Sequence, residues 1–382
     1  MPYPTEGASN RQRVEQYLPY LEKEGIKYSL HPFWSNSAYK ILYKKGFYFQ
    51  KVFSFIRGTA SRVIDIIGIA QAQARYDIVF IHREAYPVGW AFLETIISIL
   101  KKPIIFDFDD AIFLPTSSRH NNFIEIFKNP NKVAHILKIS SHIIAGNQYL
   151  SNFALRYNRC VTIIPTPIDT DRYYPAAVKN DSESDSDSGS DKVVIGWMGS
   201  ITTLYFLNAM RSIFVCLSKR FLHVMFKIVG GEFSINGLSN ITSKPWLLEE
   251  EIEDLATFDI GIMPMSDNEW TKGKCGFKAV LYMSMGIPCI CSPVGMNKEI
   301  ITDGVNGFLA ATEDEWIGKL SLLIKSPELR RKLGMAGRNT VQERYSVNIN
   351  ASKYLEVLKT VNEHRYGESY KENAEFFTGG RD

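Results

Sequence analysis

The feature that most constrains this chain is the repeated alternation of short apolar runs with longer helical stretches. The runs span residues 77–81, 103–108, 142–145 and 161–164, then 193–198, 225–229, 260–263 and 288–291. They are nearly continuous in Val, Ile, Phe, Met and Cys, without the polar alternation of a half-exposed strand. Strands of that kind are buried on both faces, which is the pattern of a parallel sheet. Between them, 91–100, 131–140, 249–258 and 327–344 read as helices. The alternation predicts an α/β chain of doubly wound sheets. At 382 residues, two domains are expected.

Charge narrows the class. Lys and Arg total 44 against 41 Asp and Glu, a net of +3, too balanced for a chain devoted to nucleic acid. A 45% hydrophobic composition excludes a disordered chain. The cysteines, 160, 216, 275, 289 and 291, lack zinc or redox spacing and read as reduced thiols. The first residues hold no apolar signal core, and no run nears the ~18 uninterrupted apolar residues of a membrane span. The expected location is cytoplasmic, with attachment to the inner face of the membrane left open.

Two segments depart from the average. Residues 181–191 are almost wholly Ser, Asp and Gly, and should form a solvated loop between domains. The expected boundaries are therefore 1–178, a junction at 179–191, 192–346, and a C-terminal helix and tail at 347–382 that returns to the first domain. Earlier, residues 25–64 contain no Asp or Glu. There Lys40, Lys44, Lys45, Lys51, Arg57 and Arg62 mix with Tyr39, Tyr43, Phe47, Tyr48, Phe49, Phe53 and Phe55. Segment 39–62 suits an anionic membrane or an anionic lipid-linked molecule. It equally suits a helix with aromatics in the core and lysines in water.

In doubly wound folds ligands sit beyond the carboxyl ends of the strands. Here those ends carry His82-Arg83-Glu84, the FDFDD run of 106–110, Gly199-Ser200-Ile201-Thr202-Thr203, Gly230-Gly231-Glu232 and the loop PMSDNEWTKGKCG. Two such sheets with facing carboxyl ends would enclose one cleft. Lys274, Cys275 and Gly276 lead into an apolar helix, with Lys278 in its first turn. A helix start with added lysines suits a diphosphate, as do the hydroxyls and amides of 199–203. Neither the Walker phosphate loop nor a GxGxxG turn is present.

The motifs IHREAYP, FDFDDAIF, IIPTPIDTDRYYP, VVIGWMGS, GKCGFKAVLYMSMGIPCICSPVG and NKEIITDGVNGF resemble the retaining GT-B glycosyltransferases of family 4, glycosyl transferases group 1. The likeness is strongest to a bacterial polysaccharide and O-antigen subgroup. It implies two Rossmann-like domains, a UDP- or GDP-sugar donor on the second, and a saccharide or polyprenyl-diphosphate-linked acceptor on the first. It implies no cofactor and no essential metal. Lys274, Lys278 and Asp110 would carry the chemistry. Gly199, Ser200, Thr202, Thr203, Trp246, Glu269, Cys275, Gly276, Phe277 and Leu281 would line the donor site. Gly7, Arg11, Arg13, His82, Glu84 and Asp109 would lie on the acceptor side, with Arg11 and Arg13 toward phosphate.

Two departures follow. The family's paired glutamates fall on Gly273 and Leu281, neither acidic, so Asp267 or Glu269 is a substitute acceptor for ribose hydroxyls. Family members also carry a buried strand before the PYP motif, whereas Pro2-Tyr3-Pro4 follows Met1 here. Loss of that strand would leave two neighbouring sheet edges open. Asp109 and Asp110 read equally as sugar-hydroxyl acceptors or as a cap for the next helix, and Trp246 as nucleobase contact or as packing. The rival functions are a nucleotide-sugar epimerase of the same shape and a glycosyltransferase-like binding protein without catalysis.

Overall fold

In a computed structural model of the chain the apolar runs form two sheets, and every strand pair is parallel. The structure describes all residues except 6, 43, 45, 72–75, 115–128, 130, 176–191 and 379–382, and only the backbone of 364–378. The acidic run 181–191, Tyr43 and Lys45 thus lie outside the described residues. The chain divides into two units, Met1–Thr166 with Asn350–Asp382, and Pro167–Ile349.

The first unit holds β1 (Val79–His82), β2 (Ile104–Phe108), β3 (His142–Ala145) and β4 (Val161–Ile163), side by side in that order. All five β2 residues are buried, as the uninterrupted run requires. Register pairs His82 with Asp107, which sets two polar side chains together at the strand ends. The helices are α1 (Ala8–Arg13), α2 (Leu18–Lys23), α3 (Asn36–Leu42), α4 (Tyr48–Gln71), α5 (Phe92–Ile99), α6 (Lys132–Ile139) and α7 (Gln148–Ala154). Among the described residues β1 ends this sheet, paired with β2 alone. The four strands pair consecutively, and residues 48–71 are helical.

The second unit holds β5 (Val193–Met198), β6 (Val224–Val229), β7 (Ile241–Lys244), β8 (Ile260–Met263), β9 (Cys289–Cys291) and β10 (Phe308–Leu309), in the order β10-β9-β8-β5-β6-β7. Its helices are α8 (Arg211–Arg220), α9 (Glu251–Ala256), α10 (Glu269–Lys272), α11 (Phe277–Ser284), α12 (Asn297–Ile300), α13 (Glu313–Lys325) and α14 (Pro327–Arg344). A 3₁₀ segment, Ile201–Met210, precedes α8. One core cluster on this sheet centres on Trp197, Phe214, Phe226 and Ile262, and another on Tyr282, Leu281, Met283 and Tyr345. The stretch Ile201–Arg220 is long and apolar enough to cross a membrane by length and composition. Its Phe206, Leu207, Met210, Ile213, Phe214 and Leu217 are part of the first cluster.

The boundary read at 178 falls instead after Thr166. The cause is packing that composition does not show. Ile168 pairs with Ser346, Tyr173 is buried in the second cluster, and Arg338 donates to the carbonyls of Thr170 and Tyr173 at 3.2 and 2.9 Å. The last helix, α15 (Val347–Thr378), belongs from Asn350 onward to the first unit, where Tyr354 stacks on Tyr17 at 4.1 Å.

Candidate functional site

In the second unit the parallel register puts the residues after β5, β6, β8 and β9 along one sheet edge. Two loops with little side-chain bulk converge there. Gly199 bonds back to the Val229 carbonyl at 2.9 Å. A methyl group at Gly199 would stand 2.5 Å from Lys278 Cε and 2.7 Å from Trp197 Cζ2. Gly230 takes φ +134°, and a side chain there would run into the Gly199 carbonyl. Two bare backbone segments therefore lie together.

The loop after β5 is laced by its own hydroxyls. Ser200 Oγ lies 2.8 Å from Thr202 Oγ1 and 3.4 Å from Thr203 Oγ1, and Thr203 Oγ1 donates to the Ser200 carbonyl at 3.0 Å. Lys278 reaches this loop from α11, with Nζ 3.5 Å from Thr203 Oγ1 and 5.5 Å from the centroid of the Trp197 ring. The start of α11 is set by Gly276 in the left-handed region, φ +67°, with no side-chain cap. The positive dipole end of the helix points out of this start and favours an anion. Tyr282 pins the same helix to the sheet by accepting from the Met198 amide at 2.9 Å. Burial drives the Tyr282 phenol far above its ordinary pKa, so it stays a neutral strut.

Lys274 Nζ sits 3.8 Å from the centroid of the Trp270 ring, which α10 presents just before it. Glu269, offered as a ribose partner, is 62% exposed and paired with Lys272 at 2.7 Å. Leu281 is corrected from donor-lining to core, at 3% exposure within the second cluster. Gly273 ends α10 and bonds to the Trp270 carbonyl at 3.2 Å. Cys275 is buried and Phe277 packs on the second cluster. Trp246 donates from Nε1 to Glu251 at 2.7 Å, so its indole is held by packing and a carboxylate. A cavity of about 180 Å³ lies beside the Ile201–Met210 segment, lined by Phe206, Met265, Ser292 and Trp316. It is smaller than the ~300 Å³ that a drug-sized ligand needs.

In the first unit the strand-end residues form an interlocked polar cluster. His82 Nδ1 is 2.6 Å from Asp107 Oδ2, and His82 Nε2 is 2.8 Å from Ser9 Oγ. Ser9 in turn donates to Asp109 Oδ2 at 2.6 Å. Serine has one hydroxyl hydrogen, and it is committed to Asp109. With that hydrogen on Asp109, Ser9 is not set up as a nucleophile against His82. Arg13 is ion-paired with Asp107 and donates to the Ile164 carbonyl at 2.6 Å. Arg83 takes a left-handed backbone, φ 60°, uncommon outside glycine. Its guanidinium meets Asp109 Oδ1 at 2.7 Å and Asp110 Oδ2 at 3.4 Å. Burial opposes ionisation of Asp107 and Asp109. Arg13 and His82 outweigh it at Asp107, and Arg83 foremost at Asp109, so both carboxyls sit below their usual range.

Several acceptor-side expectations change. Arg13 is buried against Asp107 rather than turned toward phosphate, and Arg11 is buried with NH1 on the Thr5 carbonyl at 3.2 Å. Gly7, with φ −73°, is the N-cap of α1, so it closes the turn before the helix. Glu84 pairs with Lys132 at 3.2 Å. Sequence reasoning missed Ser9, and it placed Arg83 and Asp107 at the strand ends without giving either a role. For Asp107 a signal existed, because one-residue alternation from Asp109 places it on the same face of the strand end.

Residues 192–326 match the family model described as Glycosyl transferases group 1. A trehalose synthase of Pyrococcus horikoshii is 25% identical over 135 residues, 35% of this chain. The chain spans about 30% of the length of that curated relative. Among solved structures, a glycosyltransferase from Rickettsia africae matches with TM-score 0.64 at 14% identity, covering 94% of this chain and 97% of that one. Anabaena HepE in complex with UDP and glucose matches with TM-score 0.62 at 14% identity, covering 94% and 98%. Sucrose-phosphate synthase from Thermosynechococcus elongatus matches with TM-score 0.56 at 14% identity, covering 79% and 78%. The chain has the two-domain α/β fold of the GT-B glycosyltransferases, and its residues 192–326 are similar to the glycosyl transferases group 1 domain.

Proposed function

We propose that the chain transfers a sugar from a UDP- or GDP-linked donor to a saccharide or polyprenyl-diphosphate-linked acceptor. The reaction retains anomeric configuration, requires no metal or cofactor, and serves cell-surface polysaccharide synthesis in the cytoplasm. One observation carries this reading. Lys278, the bare backbone at Gly199 and Gly230, and the Thr203 hydroxyl meet at the strand ends of the group 1 domain. HepE, of the same fold, was solved with UDP and with UDP-glucose.

The bond that breaks joins the sugar's anomeric carbon to the diphosphate, and the bond that forms joins that carbon to an acceptor oxygen. Negative charge then gathers on the departing diphosphate. An ammonium and amides already fixed in place stabilise it without reorganising. Lys278 and the α11 amides hold the phosphates, and Lys274 approaches from the preceding loop. On the first unit, Asp109 and Asp110 accept from sugar hydroxyls, held in place by Arg83 and by the Ser9–His82–Asp107 chain.

Leu281 and Gly273 favour a second reading, a nucleotide-binding protein without transfer, because neither supplies a carboxylate. A panel of UDP- and GDP-sugars with purified chain and saccharide acceptors separates the readings. Nucleoside diphosphate release with the glycosyl group on the acceptor and its anomeric signal unchanged supports retaining transfer. Donor interconversion supports an epimerase, and nucleotide binding without turnover supports the binding protein.

A further inference from the structure

The helix α4 has two unlike faces. At about 100° per residue, Gly58, Arg62 and Phe55 point to one side. That side is occupied. Gly58 meets Phe33, Phe55 packs at 5.6 Å from the Phe33 ring, and Arg62 donates to the carbonyls of Ala85 and His31, each at 2.8 Å. The opposite arc, about 120° wide, carries Phe49, Phe53, Ile56, Val63, Ile64 and Ile67. Phe49 is 90% exposed, and Phe53 and Ile64 are each 68% exposed. This stripe runs for ~27 Å at 1.5 Å per residue, and no polar residue interrupts its centre. A solvated helix places charge on that face. Here the inner face is the one with the paired arginine, and the outer face is apolar.

The charges around the stripe choose its occupant. Residues 25–64 contain no Asp or Glu. Asp65, the acid that follows, is turned inward to Arg62 and His31, each at 2.8 Å. Lys40, Lys44 and Arg57 are exposed and make no ion pair with another described residue. Unpaired cations beside an apolar stripe match a surface that is apolar below and anionic above. We propose that α4 lies flat on an anionic lipid membrane, its outer arc sunk into the interface and Lys40, Lys44 and Arg57 at the headgroups. Its inner face stays on the first unit, so the helix lies on the bilayer and does not span it. This goes beyond the transfer reaction and stands without it.

The test is co-sedimentation of the full chain with vesicles of phosphatidylcholine alone, and with about one-third phosphatidylglycerol added. Binding is expected to the anionic vesicles, weaker to the neutral ones and weaker again at high salt. Phe53→Ser/Ile56→Ser/Ile64→Ser is expected to lower the partition at least ~100-fold while melting as the parent does, because those side chains are outside the core. Should that variant misfold, Phe49→Ser alone is expected to lower it about 10-fold. Lys44→Glu/Arg57→Glu is expected to abolish the preference for anionic vesicles. Parent protein left in the supernatant with anionic vesicles would overturn the proposal. So would triple-variant binding equal to the parent's. Sedimentation equilibrium showing that the stripe joins two copies, with dimer lost in the variant and no vesicle binding, would also overturn it.

Discussion

Lys278 Nζ and Thr203 Oγ1 lie 3.5 Å apart although 75 residues separate them in the chain. The contact ties the first turn of α11 to the loop after β5. It is made possible by Gly199, where any side chain would meet Lys278 Cε. A lysine, a hydroxyl and bare glycine backbone thereby share one edge of the sheet, which is where a doubly wound fold receives a ligand.

Lys274 is expected to matter for turnover and little for folding. Its ammonium lies against the Trp270 face, an interaction worth about 0.5–1 kcal/mol at an open site. Lys274→Ala should shift the melting temperature by only about 1–2 °C and lower kcat/KM about 10-fold or more. Steady-state kinetics beside thermal melting checks this. Unchanged turnover removes Lys274 from the diphosphate.

Leu281→Glu introduces the acidic side chain that the family resemblance implies at this position. The position is 3% exposed and packed in the second core cluster. Burying a carboxylate there is expected to destabilise the chain by about 3–5 kcal/mol and to give no gain in donor affinity. Urea unfolding and nucleotide titration of the variant measure both. A stable variant that binds donor more tightly would mean that Leu281 faces the ligand.

The first unit should lose stability in acid. Asp107 and Asp109 have folded-state pKa values below their unfolded ones, held there by Arg13, His82 and Arg83 against the cost of burial. Their stabilisation is complete above the unfolded value, about pH 4, and is lost as pH falls through the folded values. Melting temperature should be flat for these groups from neutral pH down to about pH 5 and should fall below pH 4. Asp107→Asn should lower the neutral plateau and shrink that acid-dependent fall. An acid limb identical in the variant would place the titrating groups elsewhere.

The strands were legible because continuous apolar runs have one stable use here. His142–Ala145, Val193–Met198 and Ile260–Met263 form over the spans their composition marks. The edge strands β7, with sequence ITSK, and β10, only two residues long, carry no such run and escaped notice. The Gly199–Thr203 loop and Lys278 were legible as separate anion donors, but their meeting depends on Gly199 and Gly230 lying back to back, which no local pattern records. Arg11 and Arg13 misled because two arginines at a helix start suggest exposure. Arg13 instead neutralises Asp107, a partner 94 residues away that only strand register identifies. The ion pair is a property of the fold, not of the segment.

The most direct test of the donor site is calorimetric titration of UDP and GDP into the parent chain and into Lys278→Ala. The account predicts saturable binding of one of these nucleotides, weakened about 10–100-fold in the variant as one charged hydrogen bond is lost, with the melting temperature preserved. Equal affinity in the two proteins, or no binding of either nucleotide to the parent, would contradict it.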